Sequence, residues 1–298
     1  VLIAAVSARS LAAASARAGL VPLTADFFAD RDTQELAAAS LQFDGPMRAG
    51  IAGVDLLDKL KRLAEAAPSP PIGFLYGSGF ETNPAMLDAV APHWPLLGNT
   101  APTVAAVKDP ARFFAALEAL GIPHPETRME RPSDLDGWLA KRVGGAGGSH
   151  VGPATEACGT GHYYQRRVEG APASLLFVAD GSSMVPLGFS AQWAAPGARS
   201  PFRYGGAVRP ADLSRPAETG MAEAAAKLVD SFGLVGLGSA DFLVSGDSIR
   251  LLEINPRPGA TLDIFDDAAA PLISFHLDAV TNRKLPTGRE RSDAAASA

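Results

Sequence analysis

Apolar residues in the first hundred positions fall into short runs separated by stretches of helical periodicity. Leu2–Val6, Leu20–Leu23, Leu41–Phe43 and Ile72–Leu75 read as strands, and Leu11–Ala18, Gln34–Ala39 and Val54–Ala66 as helices. In the last of these, Val54, Leu57, Leu60 and Leu63 recur at helical spacing among the charged Asp55, Asp58, Lys59, Lys61 and Arg62. Strand–helix alternation of this kind predicts a parallel sheet covered by helices. Pro68-Ser-Pro-Pro71 is a rigid turn ahead of the fourth strand.

Beyond Leu96-Leu-Gly98 the pattern changes. Lys108–Leu120 reads as a helix with Phe113, Leu117 and Leu120 on one face, stopped by Gly121 and Pro123. Trp138–Arg142 is a short strand that runs into Gly144-Gly-Ala-Gly-Gly148, and Tyr163–Val168, Ser174–Ala179 and Met184–Ser190 follow as strands. A long helix covers Pro216–Phe232. Ser239–Val244 and Ser248–Ile254 form a hairpin about a Ser-Gly-Asp turn, and a last helix lies near Ala268–Ala279. The chain therefore reads as an α/β lobe followed by an α+β lobe.

Bulk properties narrow the function. With 298 residues, 47% of them hydrophobic, the chain can bury a core and make two domains. A net charge of -6 and a pI near 5.4 argue against a general binder of nucleic acid or anionic membrane. No apolar stretch approaches the ~18 residues of a membrane span. Cys158 is the single cysteine, so an internal disulfide and a Cys-rich zinc site are excluded and a cytoplasmic setting is expected. The chain opens on Val1 in place of Met, so a few preceding residues are expected. The Ala-rich tail, Ser292–Ala298, is expected to be disordered.

Two features carry chemistry. Glu253 and Asn255 are two apart and project from one face of a strand, and Asp241 on the partner strand can lie beside them. Two carboxylates and an amide oxygen make the incomplete oxygen shell that Mg²⁺ uses when phosphates and waters supply the rest. An ordinary solvated strand face carries the same residues, and the pattern alone does not choose. Lys141 precedes the glycine run, whose bare backbone can wrap phosphate oxygens while the lysine supplies charge. Alone, that run is more often a plain turn. It lacks the lysine and hydroxyl of a Walker A loop, and the first strand is followed by Ser7-Ala-Arg-Ser10, not by a dinucleotide fingerprint.

In order, Lys108, Lys141 with its glycines, Gln165-Arg-Arg-Val-Glu-Gly170, Asp241 and Leu251-Leu-Glu-Ile-Asn-Pro-Arg-Pro-Gly259 resemble the ATP-grasp superfamily over nearly the whole chain. The resemblance implies an ATP-grasp fold with a Rossmann-like, parallel-sheet N-terminal lobe. It places that lobe at 1–98, a small subdomain with the glycine loop at 99–160 and the metal-bearing subdomain at 161–291. It further implies ATP held by Lys108, Lys141, Gly144, Gly145, Gly147 and Gly148, with Gln165, Arg166 and Val168 at the adenine. Asp241, Glu253 and Asn255 would bind Mg²⁺, with Mn²⁺ as the alternative. An acid that binds ribose in relatives falls near Pro172 here, and Ser239 stands where many relatives have arginine. Arg257, ahead of Arg203 and Arg209, is the choice for the missing catalytic charge, beside Lys141.

The implied activity joins a carboxylate to an amine through an acyl phosphate. The compact form looks like ligases related to tyramine–glutamate ligase of methanofuran-type cofactor synthesis, with glutamate as a candidate carboxylate. The expected partners are small molecules, with no nucleic acid or membrane, and a homodimer is left open. An ATP-binding regulatory module with little turnover is the alternative, and an NAD-dependent oxidoreductase lacks its fingerprint. Pro201-Phe-Arg-Tyr-Gly-Gly206 is a candidate pocket segment, and Ser78, Phe80 and Glu81 are candidate substrate contacts. His93, His124, His150, His162 and His276 show no metal-ligand spacing, and His150 alone stands near the glycine loop.

Overall fold

A computed structural model describes residues 1–198, 200–287 and 296–297. The first lobe is a parallel sheet of β1 (Leu2–Ala4), β2 (Leu23–Asp26), β3 (Ala39–Gln42) and β4 (Phe74–Tyr76), in the order β3-β2-β1-β4. Helices α1 (Arg9–Arg17), α2 (Arg31–Leu36), α3 (Gly53–Glu65) and α4 (Ala85–Val90) connect and cover it. Side chains alternate across the strands. Leu2, Ala4, Leu23 and Phe74 pack with Leu56, Leu60 and Leu63 of α3, whereas Ile3 and Leu75 belong to a core shared with the second lobe.

The helix predicted over Lys108–Leu120 is found as α6 (Pro110–Ala119), and an unpredicted helix, α5 (Ala101–Lys108), precedes it, so Lys108 closes a helix instead of opening one. Pro110 has no N–H to continue the α5 ladder, but its fixed φ suits the first turn of α6. Asp109 caps that turn by accepting from the Arg112 N–H at 3.2 Å.

A small antiparallel sheet follows, made of β5 (Thr127–Arg128), β6 (Trp138–Arg142), β7 (Val151–Pro153) and β8 (His162–Arg166) in the order β5-β8-β6-β7. The glycine run is the turn between β6 and β7. The third sheet contains β9 (Ala171–Asp180), β10 (Met184–Ala194), β11 (Tyr204–Arg209), β12 (Val235–Ser245), β13 (Ser248–Asn255) and β14 (Ala296–Ser297), ordered β13-β12-β9-β10-β11-β14. The tail was expected to be disordered, yet Ala296 and Ser297 pair with Arg209 and Val208. The two residues find free edge partners on β11, and residues 292–295 and 298 lie outside the described residues.

Between β11 and β12 runs α7 (Arg215–Phe232), capped by Ser214 and closed by Gly233 at φ 64°. Its Met221, Ala225 and Leu228 pack on Leu175, Phe177, Ala240 and Phe242 of the large sheet. The opposite face presents Leu176, Val178 and Leu237 to Ile3 and Leu75, to α8 (Leu262–Phe265) and to α9 (Leu272–Asn282). Two buried polar side chains cross this seam. Asn99 accepts from Val235 N–H and donates to the carbonyls of Val235 and Pro256, each at 2.9 Å. His276 Nδ1 accepts from Leu237 N–H at 2.8 Å, which leaves the proton on Nε2 to donate to the Leu97 carbonyl at 2.9 Å. Among the described residues, no helix is long and apolar enough to cross a membrane.

Candidate active site

One face of the large sheet changes character along its strands. Ser174 shares a face with Leu176 and Val178. Where the first lobe packs, that face is apolar, and one step beyond the seam it turns polar. Register places Glu253 opposite Asp241, Asp241 opposite Ser174, and Ser174 opposite Ser190. The result is a transverse row of polar side chains on four adjacent strands. Asn255 lies opposite Ser239, one pair along.

Asp241 is held from three sides. Ser174 Oγ donates to its Oδ1 at 2.7 Å, Gln192 Nε2 to the same oxygen at 3.3 Å, and Asn255 Nδ2 to its Oδ2 at 3.1 Å. Burial and the neighbouring Glu253 carboxylate raise the Asp241 pKa. Burial alone would raise Glu253 too, but Lys108, His150, Lys141 and Arg257 together hold it well below the usual range. Two adjoining carboxylates of unequal acidity beside an amide oxygen form a hard-oxygen donor set suited to a divalent cation such as Mg²⁺. Lys108 Nζ meanwhile donates to Asn255 Oδ1 at 3.0 Å and lies 3.6 Å from Glu253.

The small sheet supplies the facing cation. On β6, Trp138 and Ala140 join Tyr164 in an outer cluster, so Lys141 projects from the opposite face, paired with Tyr163. Lys141 is 8% exposed, and burial lowers its pKa to about 8 against the pull of Glu253 and Asp241. Burial also lowers His150 and raises Tyr163, and both feel the Glu253 charge. Gln165 follows the Lys141 face and donates to Thr127 Oγ1 at 3.1 Å. The Arg166 guanidinium lies on the other face, 4.8 Å from the Trp138 ring centre, and its backbone N–H donates to the Glu126 carbonyl at 2.8 Å. Val168 is half-buried just past the end of β8.

The glycine loop is folded down. Tyr204 N–H donates to the Gly147 carbonyl at 2.9 Å. Gly144 and Gly148 have φ of 72° and 70°. A Cβ on Gly144 would meet the Glu81 carbonyl and Thr82 at 2.9 Å, and one on Gly148 would run into the Phe202 carbonyl. Gly145 is equally crowded by His150. Glycine is required because the loop backbone touches both neighbouring lobes. Only about 30 Å³ of cavity remains beneath it, lined by Lys108, Phe114, His150, Tyr163 and Glu253 among others.

Arg257 donates its Nε to Glu81 at 2.7 Å, with the two side chains 10% and 3% exposed. Burial opposes ionisation of Glu81, but Arg257, Lys108 and the Gly79 N–H, which donates at 2.7 Å, hold its pKa low. Of the first-lobe candidates, Glu81 thus reaches the site through Arg257. Phe80, by contrast, is 1% exposed and packed on Phe74 and Tyr76, which removes it as a substrate contact. Sequence reading missed Ser174, Ser190, Gln192 and Tyr163. The signal for Ser174 was available, since it is a lone hydroxyl in the apolar run of β9.

A family model for the ATP-grasp domain matches residues 107–261, more than half of the chain. The chain is an ATP-grasp protein. A curated relative, the large chain of carbamoyl phosphate synthase from Myxococcus xanthus, is 24% identical over an alignment of 198 residues that covers 58% of this chain and 18% of that one. The ATP-grasp chain therefore spans under a fifth of that relative's length. Biotin carboxylase from Campylobacter jejuni superposes with a TM-score of 0.73 at 16% identity, over 96% of this chain and 72% of that chain. N5-carboxyaminoimidazole ribonucleotide synthetase from Thermus thermophilus gives 0.73 at 17%, over 100% and 82%. The biotin carboxylase domain of Hydrogenobacter thermophilus 2-oxoglutarate carboxylase, solved with MgADP and bicarbonate, gives 0.75 at 11%, over 99% and 73%. These likenesses establish the ATP-grasp fold, with its parallel-sheet lobe in front of the antiparallel ones.

Proposed function

We propose that the protein is an Mg-ATP-dependent carboxylate–amine ligase working through an acyl phosphate, acting in the cytoplasm on an amino acid such as glutamate, in small-molecule or one-carbon cofactor synthesis. The observation that carries this reading is convergence. Asp241, Glu253 and Asn255 on one sheet and Lys141 on another face one space, with Lys108 between them.

When bound, Mg-ATP supplies the phosphoryl group and the divalent charge that offsets its oxygens. Lys108 and Lys141 would hold its phosphate oxygens, and Asp241, Glu253 and Asn255 would hold the cation. Backbone N–H groups of Gly144, Gly145, Gly147 and Gly148 close over the outer phosphate. Arg257, kept in place by Glu81, faces the developing negative charge at the substrate carboxylate. The folded loop would keep water from the acyl phosphate while the amine attacks its carbonyl carbon and inorganic phosphate leaves. Gln165, Arg166 and Val168 offer the adenine contacts, the latter two through the backbone.

The test is ADP release measured over a panel of amino acids and amines, with mass spectrometry of the product. ADP formation that needs both a carboxylate and an amine, with an amide as product, is the expected result. Tight ATP binding with no turnover over the whole panel would overturn it and identify a nucleotide-binding module.

A further inference from the structure

The polar row does not stop at the metal acids. Past Ser174 it continues to Ser190 on β10, and one step beyond the Ala191–Val208 pair the register brings Arg209 of β11 alongside. Gln192 lies on the same face as Ser190, opposite Ala207. Tyr204 starts the same strand, and its hydroxyl feels the Asp241 charge. These groups form a corner on the side of Asp241 away from Glu253. The glycine loop roofs it through the Tyr204–Gly147 bond, and Phe265 of α8 walls it, with its ring centre 5.3 Å from the Arg209 guanidinium.

Two hydroxyls in this corner are buried without a hydrogen-bond partner among the described residues. Ser190 is 0% exposed and its Oγ meets no partner among the described residues, and the Tyr204 hydroxyl is likewise enclosed and without one there. Burying a hydroxyl without a partner costs about 1–3 kcal/mol, so two in one corner indicate a ligand group that completes them. Burial and the nearby Asp241 raise Tyr204 to about 12, so it is a donor at neutral pH. Two O–H donors and a permanent guanidinium charge select an anion. A corner two strands from Asp241, roughly 10 Å at the usual ~4.8 Å strand spacing, leaves room for a short carbon chain ending above the metal acids.

We propose that Ser190, Tyr204 and Arg209 bind a second carboxylate of the substrate, so that the enzyme takes a dicarboxylic acid and activates the carboxylate that reaches Asp241 and Glu253. This rests on the ligase reading for what happens at the far carboxylate, but binding at the corner is measurable without turnover.

The experiment is calorimetric titration of the full chain, loaded with magnesium and a non-hydrolysable ATP analogue, with glutamate, 2-aminoadipate and glutarate, and with glutamine and butyrate as matched mono-acids. Tyr204→Phe and Ser190→Ala keep the side-chain shapes and remove one donor each. The expected result is dicarboxylate binding at least tenfold tighter than that of the mono-acids, weakened about tenfold or more in each variant, with affinity for the ATP analogue unchanged. Equal affinity for glutamate and glutamine, or full dicarboxylate affinity in Tyr204→Phe, overturns the corner assignment. ADP release is scored separately. Selective binding without ADP release under any amine would sink the ligase reading and leave the corner standing.

Discussion

Lys108 Nζ donates to Asn255 Oδ1 at 3.0 Å and stands 3.6 Å from Glu253 Oε2. A helix end is thereby tied to the acidic strand by a cation lying among the residues assigned to the metal. On the proposed reading, a divalent ion held by Glu253 and Asn255 would free that ammonium to meet phosphate oxygens.

The acids and this lysine are therefore expected to act as a unit. Glu253→Gln and Lys108→Met should each fold, as judged by circular dichroism, and lose at least about 100-fold in Mg-ATP turnover. Combining them should cost far less than the product of the single losses. Full activity in Glu253→Gln would remove the metal assignment.

Lys141 is expected to make nucleotide binding pH-dependent. Burial lowers its pKa to about 8 in the free protein, and phosphate oxygens must raise it on binding. Above that pH, binding takes up a proton, and affinity falls by up to about tenfold per pH unit. Calorimetry in buffers of different ionisation enthalpy should record the uptake near pH 9. It should vanish in Lys141→Met.

Gly148→Ala tests the folded loop. Its φ of 70° disfavours any side chain, and the added methyl would occupy the place of the Phe202 carbonyl. Since a nucleotide needs several hundred Å³, far more than the about 30 Å³ found, the loop must lift for entry and close again. The variant should bind ATP within about threefold of the parent but close poorly. Turnover should drop about tenfold or more, with more ADP released per product formed.

His276 adds an acid limit to stability. It is buried and neutral, with its pKa lowered to about 4 by burial, against a favourable bond to the Leu97 carbonyl. As pH falls below the unfolded value near 6.5, the unfolded chain gains a proton that the native one refuses. Stability is thus full above pH 6.5 and declines toward pH 4, by about 3 kcal/mol in total. Denaturant melts should show this slope in the parent and a shallower one in His276→Gln.

Much of the frame was legible in residue order. The helix predicted over Pro216–Phe232 is found at Arg215–Phe232, and the Ser-Gly-Asp turn does join β12 to β13. Both depend on local signals, namely helical periodicity with a serine cap and a glycine exit, and a short turn between alternating strands. The pairing of Asp241 with Glu253 followed from that turn. What was not legible depends on distant contacts. Arg257 meets Glu81 176 positions away, and nothing in either neighbourhood announces the other. Helix α5 was missed because its short run of small apolar residues, Ala101–Val107, shows little helical periodicity, and Lys108 was read as a start instead of an end. Strands β7 and β11 were missed because glycine-rich edges carry little β signal and form only by pairing.

The shared core has a practical corollary for dissecting this protein. Ile3, Ala5 and Leu11 sit in the same apolar cluster as Leu176, Val178 and Leu237, so stretch 107–261, taken out alone, would bare a broad greasy plane to water. Excising it to make a minimal nucleotide binder should yield aggregates. Fusions and tags belong instead on exposed turns, such as the one around Gly246, where an added Cβ would meet nothing within 4 Å among the described residues.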